Sequence, residues 1–135
     1  MINLIKFFLA GFLATLIFHQ GLMGLLYLAG VSPIAPFSLA ATGPLAVPAV
    51  LSLAFWGGLW GVAIGYLLRA IGGVHSLWRW LVLGALAPSL VAMLLVFPLK
   101  GIANNDPKLW LGALLLNGAW GLGCALFLRA TARWK

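Results

Sequence analysis

Four uninterrupted apolar stretches, at about residues 7–28, 50–68, 80–99 and 109–128, take up most of this 135-residue sequence. Each is 19 to 22 residues long, and a helix needs about 20 apolar residues to cross the roughly 30 Å hydrocarbon core of a bilayer. Lipid offers nothing to a bare backbone N–H or C=O, so each stretch must satisfy its own backbone as a helix. The residues left over are too few for a soluble domain. Composition agrees: 64% of residues are hydrophobic and 7% are charged, where a soluble domain carries about 25% charged residues. A water-soluble globule and a disordered chain are both excluded. The expectation is one all-α transmembrane domain over 1–135, an integral membrane four-helix bundle. The first stretch is too long for a 7–15-residue signal-peptide core, and no convincing small-x-small cleavage site follows it, so it is expected to remain as a helix.

Eight basic residues stand against one acid, Asp106. With the N-terminus inside, Lys6, Arg69, Arg79, Arg129, Arg133 and Lys135 face the cytoplasm and only Lys100 and Lys108 lie outside. That bias predicts both termini inside, with the membrane crossed four times. Arg69, Trp78, Arg79, Trp80, Arg129 and Trp134 are expected as anchors at the inner interface, with Trp110 at the outer one. The basic residues sit singly at helix ends, without the clustering a nucleic-acid backbone requires. They read as an orientation signal and as contacts for lipid headgroups.

Two of the three connections are short turns. The third, 31–49, is uncharged and holds four of the seven prolines: Pro33, Pro36, Pro44 and Pro48. It is expected to lie on the outer membrane face or to dip back into the membrane under cover of protein.

Sliding the sequence by 60 residues superposes Gly58, Trp60, Gly61, Leu68, Arg69 and Ala70 on Gly118, Trp120, Gly121, Leu128, Arg129 and Ala130. A shift of 73 pairs Lys6 with Arg79, Gly11 with Gly84 and Leu13-Ala14 with Leu86-Ala87. The expectation is two helical hairpins in parallel repeat, with the Pro-rich outer loop as an insertion in the first. Parallel repeats occur in transporters, whose sites lie between the repeats. The competing explanation is that Trp-Gly and Leu-Arg-Ala are common ways to pack and end a membrane helix.

Counting 1.5 Å per residue, His19 and Gln20 fall near the middle of the first stretch, Ser89 near the middle of the third and Asn117 of the fourth. Intramembrane polar residues mark functional sites often enough to make this layer the candidate site. Three roles stand open for it. The first is a hydrogen bond between helices. The second is a proton or substrate path at His19. The third is contact between His19 and a tetrapyrrole or quinone; otherwise no cofactor and no metal is expected. Gly57, Gly58, Gly61 and Gly65 in the second helix, with Gly118 and Gly121 in the fourth, offer grooves for close helix approach. Those grooves serve either the bundle itself or a partner. Trp56, Trp60 and Trp120 lie inside the stretches, where an indole N–H needs an acceptor.

One carboxylate, two histidines and one cysteine (Cys124) make neither a catalytic pair nor a metal motif. The tracts Phe18-His-Gln20, Ser52-Leu-Ala-Phe-Trp-Gly-Gly-Leu-Trp-Gly61, Ala87-Pro-Ser-Leu90 and Asn117-Gly-Ala-Trp-Gly-Leu-Gly123 resemble small proteobacterial four-span inner-membrane proteins of unassigned function. That resemblance implies a location and no activity. The expected role is therefore not an enzyme. It is an accessory or structural subunit packed into a homo-oligomer or a larger membrane complex, with a small homo-oligomeric transporter or channel as the alternative.

Overall fold

The computed structural model describes residues 1–132. It is helical, with four helices long and apolar enough to cross a membrane: α1 Ile2–Leu28, α2 Ala49–Ala70, α3 Leu77–Leu99 and α4 Pro107–Ala130. Each contains its expected apolar stretch and runs beyond it at one end or both, because the flanking residues hold helical geometry past the hydrophobic run. Ser76 caps α3 by accepting the Arg79 N–H at 3.3 Å. Asp106 caps α4 by accepting the Lys108 N–H at 2.8 Å, with Pro107 in the first turn, where its missing N–H costs nothing. Gly72 and Gly101 follow α2 and α3 in the left-handed region (φ 70° and 69°), which a side chain would disfavour.

Two helices widen into π-turns, α1 at Thr15–His19 and α3 at Ala92–Val96. The second has a visible cause. Pro98 has no N–H to return to the preceding turn, and the Met93 carbonyl accepts from Asn104 Nδ2 instead, at 2.7 Å.

The packing order is α2–α1–α4–α3. The α1 helix lies against both α2 and α4, α4 lies against α3, and α2 and α3 make only slight contact. The core follows this order: Phe7, Ala10, Ala14, Ile64, Leu68, Trp80, Trp120, Cys124, Ala125 and Leu128 form one buried cluster.

Glycines set the two hairpin crossings. In the α1–α2 pair, a Cβ on Gly61 would collide with the Phe7 carbonyl oxygen and lie 3.0 Å from Gly11 Cα. In the α3–α4 pair, a Cβ on Gly121 would collide with the Trp80 carbonyl oxygen and lie 3.2 Å from Gly84 Cα. Gly11 in turn abuts the carbonyl of Gly57, and Gly84 lies against that of Asn117. With no side chains between them, the backbones approach closely enough for dispersion contacts along the whole crossing.

Between α1 and α2 the chain turns back alongside α1. Pro36 lies against Gly24, and Ala49 and Val50 donate their N–H groups to the carbonyls of Ala40 and Ser38. Ala41–Thr42 and Val47–Pro48 pair as a minimal antiparallel ladder, closed by Thr42 Oγ1 donating to the Val47 carbonyl at 2.7 Å.

Candidate functional site

The four residues of the expected polar layer form two separate pairs. Asn117 Nδ2 donates to Ser89 Oγ at 2.9 Å, linking α4 to α3 where Ser89 is fully buried. Gln20, 3% exposed, serves the first connection. Its Oε1 accepts the Phe37 N–H at 2.6 Å, and its amide NH2 is thereby left to donate to His19 Nδ1 at 3.3 Å, which places the imidazole proton on Nε2. No hydrogen bond joins the His19–Gln20 pair to the Asn117–Ser89 pair among the described residues. Gln20 lies eight residues before the end of α1, so the 31–49 segment runs back about 12 Å along that helix to meet it. Phe37 is held there at φ 55°, a backbone region bulky residues avoid. The bond to Gln20 helps keep it there.

Every glycine of the expected grooves lies against this chain's own helices. Gly57 meets Thr15 and Gly11, Gly58 meets the Phe8 ring and Gly65 the Phe7 ring. Gly61 and Gly121 occupy the crossings above, and Gly118 lies against Leu81 and Ala85. Gly11 and Gly84, which face them, were not expected as packing residues. Their only sequence signal is that the 73-residue shift aligns one with the other.

Trp120 is 2% exposed and crosses from α4 to α1, its Nε1 donating to the Gly11 carbonyl at 2.9 Å. Trp60, its counterpart at the 60-residue shift, packs half-buried against the core and forms no hydrogen bond among the described residues. Trp56, one turn earlier on the same face of α2, is 59% exposed and likewise finds no acceptor.

The expected interface anchors divide. Trp78 is 69% exposed at the start of α3, and Trp110 is half-buried in the first turn of α4, its Nε1 donating to the Asn104 carbonyl at 2.7 Å. Trp80 is a correction: it is fully buried, edge-on to Trp120 with ring centroids 6.3 Å apart. Its indole turns back into the α2–α3 connection and donates to the Val74 carbonyl at 2.8 Å. Two arginines bind the same connection. Arg79 Nη1 donates to the Ile71 carbonyl at 3.1 Å, and Arg129 Nε to the His75 carbonyl at 2.7 Å. The carbonyls of Ile71, Val74 and His75 lie in the connection between the helices, and these three side chains supply donors to them. Arg69 is exposed in the last turn of α2. Trp134 lies outside the described residues.

One concavity, of about 230 Å³, opens at the end of the fold where α1 begins and α2 and α4 finish; Asn3, Lys6, Arg69, His75 and Thr131 are among the residues lining it. Among the described residues no three His, Cys, Asp or Glu side chains come together. The chain matches no protein-family model, no curated protein and no solved structure.

Proposed function

We propose that this chain is a non-catalytic structural or accessory subunit of a homo-oligomeric or larger membrane assembly. The observation that carries this reading is the contrast between Trp120 and Trp60. At the α1–α4 seam an indole finds a backbone carbonyl on the neighbouring helix. At α2, which barely touches α3, the corresponding indole finds none, and Trp56 on the same face shares that state. An indole N–H within a membrane span is stabilised by an acceptor. A helix of another subunit against the Trp56–Trp60 face supplies one. The glycine grooves are consumed inside the chain, so α2's aromatic face is the docking element.

Matched contacts support the repeated-hairpin reading. Gly61 against Phe7 and Gly11 has the same form as Gly121 against Trp80 and Gly84, and the shifts of 60 and 73 relate every member of the two sets. The bacterial inner membrane rests on the resemblance alone, and the cytoplasmic placing of both termini rests on the charges: Lys6, Arg69, Arg79 and Arg129 lie at one end of the fold and Lys100 and Lys108 at the other. A transport path through His19 and Asn117 has less behind it, since each of those side chains bonds within its own pair.

The test is to extract the chain from native membranes into polymer-bounded lipid discs and weigh the particles. Two or more copies, or a stoichiometric second protein, is the expected result, with dissociation in the W56F/W60F variant. A single 14.3 kDa chain with lipid alone would overturn the proposal.

A further inference from the structure

The two seams between the hairpins differ in a way their sequences do not. At one seam α4 lies on α1, and Trp120 Nε1 donates to the Gly11 carbonyl at 2.9 Å. The 60-residue shift carries Trp120 to Trp60, and the 73-residue shift carries Gly11 to Gly84. The other seam, α2 with α3, therefore holds the same donor and the same acceptor. Their surroundings match as well. A Cβ on Gly11 would meet the Gly57 carbonyl oxygen, and a Cβ on Gly84 would lie 3.2 Å from the carbonyl oxygen of Asn117, which the 60-residue shift pairs with Gly57. Each glycine thus sits the same way in its own hairpin. Yet α2 and α3 make only slight contact, and the Trp60 indole forms no hydrogen bond among the described residues.

The acceptor at the parted seam also has fewer donors. Four residues after Gly11 stands Thr15, whose N–H and Oγ1 both donate to the Gly11 carbonyl, the hydroxyl at 2.9 Å. Four residues after Gly84 stands Pro88, which has no N–H and no hydroxyl to give. The Gly84 oxygen lacks its helical donor in a span where lipid offers no replacement, while an indole N–H without an acceptor stands on α2. Gly84 is buried, which favours a donor from this chain's own helices over one from another subunit. Trp60 is well placed to be that donor, since it packs against the buried cluster that contains Trp80, four residues before Gly84.

We propose that the α2–α3 seam is a two-position element that regulates the docking face. In the open position, which this structure shows, the Trp60 N–H is available to a helix of another subunit. In the closed position α2 moves onto α3 and Trp60 Nε1 donates to the Gly84 carbonyl, repeating the Trp120–Gly11 bond. An indole has a single N–H, so closure and docking through Trp60 exclude each other. A partner that binds the open position alone draws the seam open by its differential affinity, and loss of the partner lets the seam close. This regulation rests on the assembly reading above, whereas closure itself needs only the single chain.

The experiment labels the whole chain with carbon-13 at glycine carbonyls and nitrogen-15 at tryptophan indoles. Solid-state NMR then reads which indole nitrogens lie within hydrogen-bond reach of a glycine carbonyl, with the Trp120–Gly11 bond as internal control. In lipid discs loaded with one copy, two indole nitrogens should couple to glycine carbonyls, and W60F should lose one and keep the other. In discs cut from native membranes, with the assembly intact, only the Trp120 coupling should remain. A second measurement does not depend on that variant: spin labels on L59C of α2 and L86C of α3, both exposed positions, should lie closer together in one-copy discs than in native ones. A single coupled nitrogen in one-copy discs, with equal spin-label distances in both preparations, would overturn the closed position and leave the assembly reading intact. Two coupled nitrogens in the native assembly would overturn the exclusion between closure and docking. Native discs holding one copy and no partner would overturn the assembly reading, and the regulation with it.

Discussion

Adding one methyl group at each hairpin crossing tests the packing account quantitatively. In G121A the new Cβ would lie 3.0 Å from the Trp80 carbonyl carbon and closer still to its oxygen; in G61A it would meet the Phe7 carbonyl and lie 3.0 Å from Gly11 Cα. Comfortable carbon contacts begin near 3.5 Å, and the atoms in the way are backbone. Neither helix can yield by turning a side chain. The helices must separate by something like 1 Å, which loosens every contact along the crossing. Overpacking of this kind costs about 1–3 kcal/mol, and alanine's better helix propensity returns up to ~1 kcal/mol. The net expectation is a loss of about 1–2 kcal/mol for each variant, and of similar size for both because their surroundings match. The assay is thermal unfolding in mild detergent, with G21A and G112A as controls, since a Cβ at either of those positions meets nothing within 4 Å. The controls should unfold at or slightly above the wild-type temperature, and G61A and G121A several degrees below it. If either crossing variant unfolds with its control, the close approach of the backbones is not what holds the hairpins.

Three further outcomes follow from individual contacts. Q20L removes the acceptor for the Phe37 N–H, so amide exchange in the 31–40 segment should accelerate while α4 is unaffected; unchanged exchange would mean that Gln20 does not hold the segment. Replacing Asn117 with Leu leaves Ser89 buried without its partner and should cost about 1–3 kcal/mol; the double change N117L/S89A should recover most of that loss in the same unfolding assay. Cys124 is fully buried and should resist alkylation by a maleimide in the folded protein, reacting only as the chain unfolds; rapid labelling under native conditions would contradict the α1–α4 packing.

The helices were legible in the sequence because length and hydropathy leave lipid-spanning backbone no other form. Their ends were less so, since Leu77 and Pro107 begin helices on the strength of caps at Ser76 and Asp106 that hydropathy does not register. Neighbour choice was not legible, because all four helices are apolar on most faces and nothing local says that α1 sits between α2 and α4. The polar layer shows the same gap. Residue counting gives height along a helix but not direction, so Asn117 and Ser89 met as a pair while Gln20 turned to a backbone N–H 17 residues away. Trp80 fits the pattern of an interface residue by its position beside Arg79, yet the α2–α3 connection folds over it and uses its indole as a donor. The concavity was hidden for a related reason: Lys6 and Arg69 are 63 positions apart (69 − 6), and only the α1–α2 crossing brings them to one cavity.

The central claim is that the Trp56–Trp60 face of α2 meets another protein in the membrane. A photoreactive diazirine amino acid in place of Trp56, activated in intact native membranes and read by mass spectrometry, tests this directly. Adducts to a second copy of this chain or to a distinct protein partner are the predicted result. Adducts to lipid alone would contradict the account.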